Sequence, residues 1–91
     1  MIIVKEKELL IMVVYAVREY DKDVLFENFE KAKDFALSVI NRYKEMFEQY
    51  NDIIEIIDKG DKIILKDISN DEYRICHTVS RTIRKKVIQI N

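Results

Sequence analysis

The sequence of 91 residues has no proline or tryptophan and only one glycine, one cysteine and one histidine. Because Gly60 is the single glycine, a glycine-rich phosphate-binding loop and a flexible glycine-rich linker are both excluded. The lone cysteine, Cys76, excludes an internal disulfide and a zinc site built from several cysteines. These absences remove several classes of protein, and we expect no cofactor.

The sequence also has no long hydrophobic run. Its longest apolar run, residues 9–17, is less than half of the about 20 residues that a membrane-spanning helix needs. The charged residues 5–8 follow the first four residues directly, which is unlike a secretory signal peptide. We therefore expect a protein of the reducing cytoplasm with no membrane partner.

The composition that remains is typical of an ordered globular protein, with 48% hydrophobic and 36% charged residues. A chain of this length predicts one domain over residues 1–91. The chain is also rich in Ile, Lys, Asn and Tyr, which AT-rich codons favour. That mixture is compatible with a low-GC bacterium, its phage or an archaeal virus.

The net charge of −1 hides an uneven distribution. Residues 73–91 carry five of the sixteen bases and no acid, and they sum to +5. Residues 1–72 carry the other eleven bases and all seventeen acids, and they sum to −6. A fold that keeps these two sets apart has an electrostatic field across it.

Residues 29–50 are the only long stretch with a clear helical period, and they organise the chain. Apolar residues recur there in steps of three and four, at Phe29, Ala32, Phe35, Ala36, Val39, Ile40, Tyr43, Phe47 and Tyr50. This spacing predicts an amphipathic helix. Asn28 precedes it as a predicted N-cap, and residues 51–52 are predicted to end it.

The segment before this helix has the pattern of β-strands. Residues 9–20 form a predicted strand that is apolar on both faces over most of its length. A turn at residues 21–23 leads to a second strand at residues 24–26, and the two strands form a hairpin. Residues 1–4 form an extra edge strand or extend the strand that follows.

The segment after the helix also has the pattern of strands. Residues 53–57 and 62–68 flank Gly60 and form the clearest hairpin. Residues 73–83 alternate as a fifth strand, and residues 80–91 fit both a strand and a helical stripe. Strand is favoured there because Thr, Ile and Val dominate. The whole pattern predicts an α+β fold of order β-β-α-β-β-β, with one long helix packed on a mostly antiparallel sheet.

No catalytic or metal-binding constellation stands out. Cys76 and His77 are neighbours, but adjacent strand residues point to opposite faces, so the two cannot form a nucleophile and base pair. The carboxylates fall mainly on the outer helix face or in turns, without the dense oxygen ligands of a calcium loop. We therefore expect no enzyme activity, no catalytic residue and no metal site.

Two groups of charged residues are candidates for binding. The acidic outer face of the helix is expected to meet a basic groove on a protein partner, through Glu30, Asp34, Glu45 and Glu48. The alternative is a salt-dependent nucleic-acid contact by the basic segment at residues 74–86. Its cations are Arg74, Arg81, Arg84, Lys85 and Lys86. The same cations are also typical of an edge strand that is protected by charge.

The chain has more apolar residues than one helix on one sheet face can cover. The surplus residues are Leu10, Met12, Val14, Phe35, Leu37 and Met46. Because one helix leaves a sheet face open, we expect that face to contact a protein partner or a second copy. The sequence therefore predicts a small non-enzymatic module that acts through protein–protein contact and self-associates as a dimer. Its size and charge also fit a phage or mobile-element inhibitor of a nucleic-acid-handling host protein.

Overall fold

The computed structural model describes residues 2–6, 9–49, 53–68 and 78–90. One helix, α1, packs on a six-stranded sheet in which every strand pair is antiparallel. The elements are β1 (Ile2–Glu6), β2 (Leu9–Glu19), β3 (Lys22–Phe26), α1 (Phe29–Glu48), β4 (Ile54–Asp58), β5 (Lys62–Asp67) and β6 (Thr78–Gln89). The predicted α+β class, with one helix on an antiparallel sheet, is confirmed. The predicted order is nearly matched. The difference is that β1 is a strand of its own, so three strands precede the helix.

The two longest strands, β2 and β6, form the centre of the sheet. On the other edge of β2, β1 pairs with residues 9–13 and β3 pairs with residues 15–19. On the other edge of β6, β5 pairs with residues 78–82, and β4 follows β5. The strand predicted at residues 80–91 is confirmed for its described part, whereas residues 69–77, predicted as a turn and the start of this strand, lie outside the described residues. The resulting molecule is elongated, with principal extents of 60 × 20 × 18 Å.

The helix begins where the sequence predicts. Asn28 has extended backbone, and its side-chain oxygen accepts a hydrogen bond from the N–H of Lys31 at 2.9 Å, which confirms the predicted N-cap. The helix ends at Glu48, two residues earlier than predicted, and Gln49 caps it through a backbone bond to Glu45. The predicted end at residues 50–52 lies outside the described residues.

The core lies between α1 and one face of the sheet. Its fully or almost fully buried side chains are Val17, Ala32, Ala36, Ile40, Ile63, Leu65 and Ile83. Phe35 and Leu37, which the sequence left as surplus, pack half-buried against this core. Burying a large aliphatic side chain stabilises a fold by about 1.5–3 kcal/mol, so this layer supplies the main stability of the molecule.

On the opposite face of the sheet, charged residues of β6 lie beside two buried apolar residues of β2. Val14 is 3% exposed and Ala16 is fully buried, and their cross-strand partners are Lys86 and Arg84. The carboxylate of Asp23 bonds both cations and holds them on this face. Long aliphatic stems cover apolar neighbours while their charged ends stay in water. Val14 is therefore already buried on this face, whereas Leu25, which pairs with Ala16, is 48% exposed.

At one end, the sheet extends past the helix. We call this part the β1 end, and it consists of β1 with residues 9–13 of β2 and residues 87–90. β1 contacts β2 but makes no contact with α1. Three apolar side chains here remain accessible, with Leu10 37%, Val87 60% and Ile90 44% exposed, whereas Val13 is 9% exposed. Leu10, one of the surplus apolar residues of the sequence, is therefore exposed at this end of the sheet.

Candidate functional site

The acidic residues predicted to bind a partner lie on one outward stripe of α1. At 3.6 residues per turn, Glu30, Asp34, Glu45 and Glu48 fall within about 60° of one another, over about 27 Å of helix. All four are exposed. We call these four residues the acidic stripe. The structure thus brings together the residues that the sequence assigned to this face.

The cations of α1 are mostly held away from the acidic stripe. Three of them pair with carboxylates elsewhere: Lys31 with Glu27, Lys33 with Asp58 at 3.1 Å, and Arg42 with Glu19 at 3.1 Å. Only Lys44 reaches the stripe, with its Nζ 3.7 Å from Glu48. Glu30, Asp34 and Glu45 form no ion pair with any residue that the structure describes. The stripe therefore keeps a negative potential.

A polar cluster that the sequence did not predict lies where the end of β2 meets α1. Glu19 is 8% exposed, and one of its carboxylate oxygens accepts a hydrogen bond from Arg42. Its other oxygen lies 3.9 Å from the guanidinium of Arg81, which stacks 5.7 Å from the ring centre of Tyr43. The Nε atom of Arg81 is buried without a hydrogen-bond partner among the described residues. Arg81 is thus directed into the protein.

A cavity of about 240 Å³ adjoins this cluster and is lined by Glu19, Tyr20, Arg42, Tyr43 and Met46. Met46, another surplus residue, is 45% exposed here. The Glu19 carboxylate is bonded to Arg42 here, and its other oxygen faces Arg81. We assign the cluster a structural role, in which it ties the end of β2 to the helix and to β6.

The structure does not gather the basic residues predicted for nucleic acid into one surface. Arg81 lies in the buried cluster, whereas Arg84 and Lys86 lie on the opposite face of the sheet. Lys85 is exposed on the helix side, because it pairs across the sheet with Tyr15, which packs against the core. Arg74 lies outside the described residues. The four described cations therefore present three separate environments.

Asp23 is the centre of the charge network on the face opposite the helix. Its carboxylate bonds Lys86 at 3.0 Å and Arg84, and it lies 3.6 Å from Arg18. The hydrogen bond from Lys86, followed by the hydrogen bond and charge of Arg84, lowers the pKa of Asp23 below its ordinary value of 3.8. The sequence placed Asp23 in a turn, but β3 begins at Lys22 and sets the side chain on the sheet. In the pairing of β2 with β3, Asp23 lies directly opposite Arg18. That pair of opposite charges is the signal that places Asp23 in the strand.

Asp58 is the last residue of β4, and its side chain reaches into the turn at Gly60. Its carboxylate accepts a hydrogen bond from the backbone N–H of Gly60 at 2.8 Å. That bond, together with Lys33, lowers the pKa of Asp58 below its ordinary value. Gly60 has a φ of +89°, as expected for the one glycine of the hairpin.

The described part of the chain holds no group of three or more His, Cys, Asp or Glu side chains able to bind a metal ion. Cys76 and His77 lie outside that part. Within the same ranges, no helix is long and apolar enough to cross a membrane.

No protein-family model matches this chain, and neither a curated protein nor a solved structure matches it.

Proposed function

We propose that this protein is a small non-enzymatic binding module that acts through protein–protein contact and self-associates. Its acidic stripe is the surface that contacts the partner. The observation that supports this is the charge of Glu30, Asp34 and Glu45 on one exposed line, where none of them forms an ion pair with a described residue. The helix beneath is fixed by the buried side chains of Ala36 and Ile40, so little conformational freedom is lost when a partner binds.

The chemistry of the stripe fits a basic groove. Carboxylates spaced along a stiff helix offer hydrogen-bond acceptors to arginine and lysine side chains, as phosphates do. Charges of this kind also steer association, and their effect falls as salt rises. The partner class is therefore a protein with a groove that handles nucleic acid. An inhibitor from a phage or mobile element, acting in the cytoplasm of the host, is the biological setting that this chemistry and the chain's size favour.

The test compares charge reversal on and off the stripe. The stripe variant is Asp34→Lys with Glu45→Lys. The matched control is Asp21→Lys with Glu55→Lys, which reverses two other exposed acids and changes the net charge equally. Each tagged chain is used to capture proteins from bacterial cytosol at low salt and at 0.5 M NaCl, and captured proteins are identified and titrated. We expect the stripe variant to bind at least about tenfold more weakly, while the control binds like the unmodified chain.

Two results would contradict the proposal. One is equal binding by the stripe variant and its control, and the other is the absence of any captured protein. The alternative, a nucleic-acid contact, is tested by gel shift of DNA and RNA at low salt. Retardation that Arg84→Ala or Lys85→Ala weakens would favour that alternative, although the acidic stripe opposes it by repelling phosphate.

A further inference from the structure

One edge of β6 is left open over half of the strand. β5 pairs with β6 only as far as Thr82, and β2 pairs with the opposite edge. No strand in the described ranges occupies the β5 side of residues 84–90. An exposed edge of this length is a ready template for another strand.

The backbone directions show which residues face this open edge. The N–H of Ile83 donates to the carbonyl oxygen of Asp61, on the β5 side, at 2.7 Å. The N–H of Ile90 donates to β2 at 2.9 Å. Because alternate residues of an antiparallel strand bond to opposite edges, the N–H and C=O groups of Lys85 and Val87 face the open edge.

We propose that two copies of this chain pair through this edge, antiparallel, with the two Val87 residues opposite each other on a two-fold axis. The inference rests on the self-association in the proposed function and is independent of the acidic stripe. Val87 is 60% exposed on the helix face and Ile90 is 44% exposed on the other face, so pairing covers accessible apolar surface on both faces. The two six-stranded sheets become one continuous sheet.

The length of the open segment fits this arrangement. Residues 84–90 follow Ile83, whose N–H bonds to Asp61 on the β5 side, and they end at Ile90, whose N–H makes the last described bond to β2. Pairing about Val87 sets Arg84 of one copy opposite Ile90 of the other. Residues 84–90 of each copy therefore lie along residues 84–90 of its counterpart.

The charges of the segment select the same register. With Val87 on the axis, Arg84, Lys85 and Lys86 lie opposite Ile90, Gln89 and Ile88 of the second copy, and no two cations are opposed. A register centred on Lys85 or Lys86 sets lysine directly opposite lysine, which is destabilising. A register centred on Ile88 pairs only residues 86–90. Charge and length together favour pairing about Val87.

The cations of the segment do not prevent this approach. Arg84 and Lys86 are bonded to Asp23 on the face opposite the helix, so their charge is largely balanced within the copy. Of the three, only Lys85 has no ion pair with a described residue, and the chosen register sets it opposite a neutral glutamine.

The experiment measures the mass of the chain by light scattering from micromolar to millimolar concentration. We expect the unmodified chain to reach twice its chain mass of 10.9 kDa. Val87→Pro removes the N–H that faces the open edge and spares the bonds to β2, so it should weaken dimerisation at least about a hundredfold. Val87→Lys, which opposes two charges on the axis, should act in the same direction. Circular dichroism and thermal melting verify that each variant is folded. If the proline variant does not fold, the result for Val87→Lys is the one that tests the pairing edge.

The matched control is Ile56→Pro, on the outer edge of β4. The bond from the N–H of Ile68 to the oxygen of Ile53 shows that the backbone groups of Ile56 face away from β5. This variant should keep the dimer. A dimer that survives in both Val87 variants overturns the pairing edge and leaves self-association standing. A monomer at every concentration overturns both the pairing edge and self-association. A loss of dimer in Ile56→Pro equal to that in the Val87 variants also overturns the assigned edge. The capture experiment tests the acidic stripe separately.

Discussion

The two ends of the β2–β6 ribbon differ in what covers them. Ile83 and Val87 lie four residues apart on the same face of β6, yet Ile83 is 5% exposed and Val87 is 60% exposed. Ile83 belongs to the core against α1, whereas the helix does not reach β1. Similar aliphatic residues thus have different roles at the two ends. The helix-covered end supplies stability, and the β1 end supplies accessible surface.

The largest expected effect comes from truncating these two residues in parallel. Ile83→Ala removes buried methyl groups and leaves a cavity under the helix, so we expect a loss of about 2–4 kcal/mol in the free energy of unfolding. Val87→Ala in the dilute monomer should change it by no more than about 0.5 kcal/mol. Urea denaturation at low protein concentration measures both. Equal losses would show that the β1 end is as well covered as the core.

A second prediction concerns the polar cluster at the covered end. Glu19→Gln leaves the guanidinium of Arg81 in a mostly buried position without its carboxylate, which we expect to cost about 2 kcal/mol. Arg42→Gln removes the other partner of Glu19, but that side chain is 61% exposed, so its loss should cost at most about 1 kcal/mol. Thermal denaturation of the two variants compares them. A larger loss of stability for Arg42→Gln than for Glu19→Gln would contradict the assignment of Glu19 and Arg81 as the buried pair.

The smallest expected effect concerns the charge network on the face opposite the helix. Because the folded state lowers the pKa of Asp23, the ionised carboxylate contributes stability that is fully present above the ordinary value of 3.8. That contribution is lost as the pH falls through the lower folded value. Asp23→Asn should therefore lose less stability than the unmodified chain between about pH 5 and about pH 2. Urea denaturation across this range measures the difference. Asp21→Asn, which changes a nearby exposed acid outside the network, should follow the unmodified chain, and an equal response of both variants would contradict the role of Asp23.

Local patterns were enough to predict the helix and both hairpins. The stripe of Ala32, Ala36 and Ile40 requires a helix buried on one side, and Gly60 supplies the positive φ that its turn needs. The turn after β2 was harder to place, because Tyr20 adopts a φ of +57°, which a non-glycine residue rarely does. The predicted turn was therefore shifted, and Asp23 was assigned to it instead of to β3.

Of the candidate surfaces, one could be predicted from the sequence and the other could not. The four carboxylates of the acidic stripe follow from helical periodicity alone, so the sequence predicted their common face. Arg81 was expected at an accessible nucleic-acid surface, but it lies inside, against Glu19 and Tyr43. No local pattern shows this, because Glu19 and Tyr43 are far from Arg81 in the chain.

By itself, the sequence determined a helix with one apolar and one acidic face, and strands that flank it, because these depend on spacings of two to four residues. Only the tertiary structure decided which charges meet. Asp23 bonds Arg84 and Lys86 across separations of 61 and 63 residues. It also decided where β5 leaves β6, and hence that no described strand pairs with residues 84–90 on the β5 side. The register between distant strands sets these features, and that register is fixed by the packing of the whole sheet against the helix.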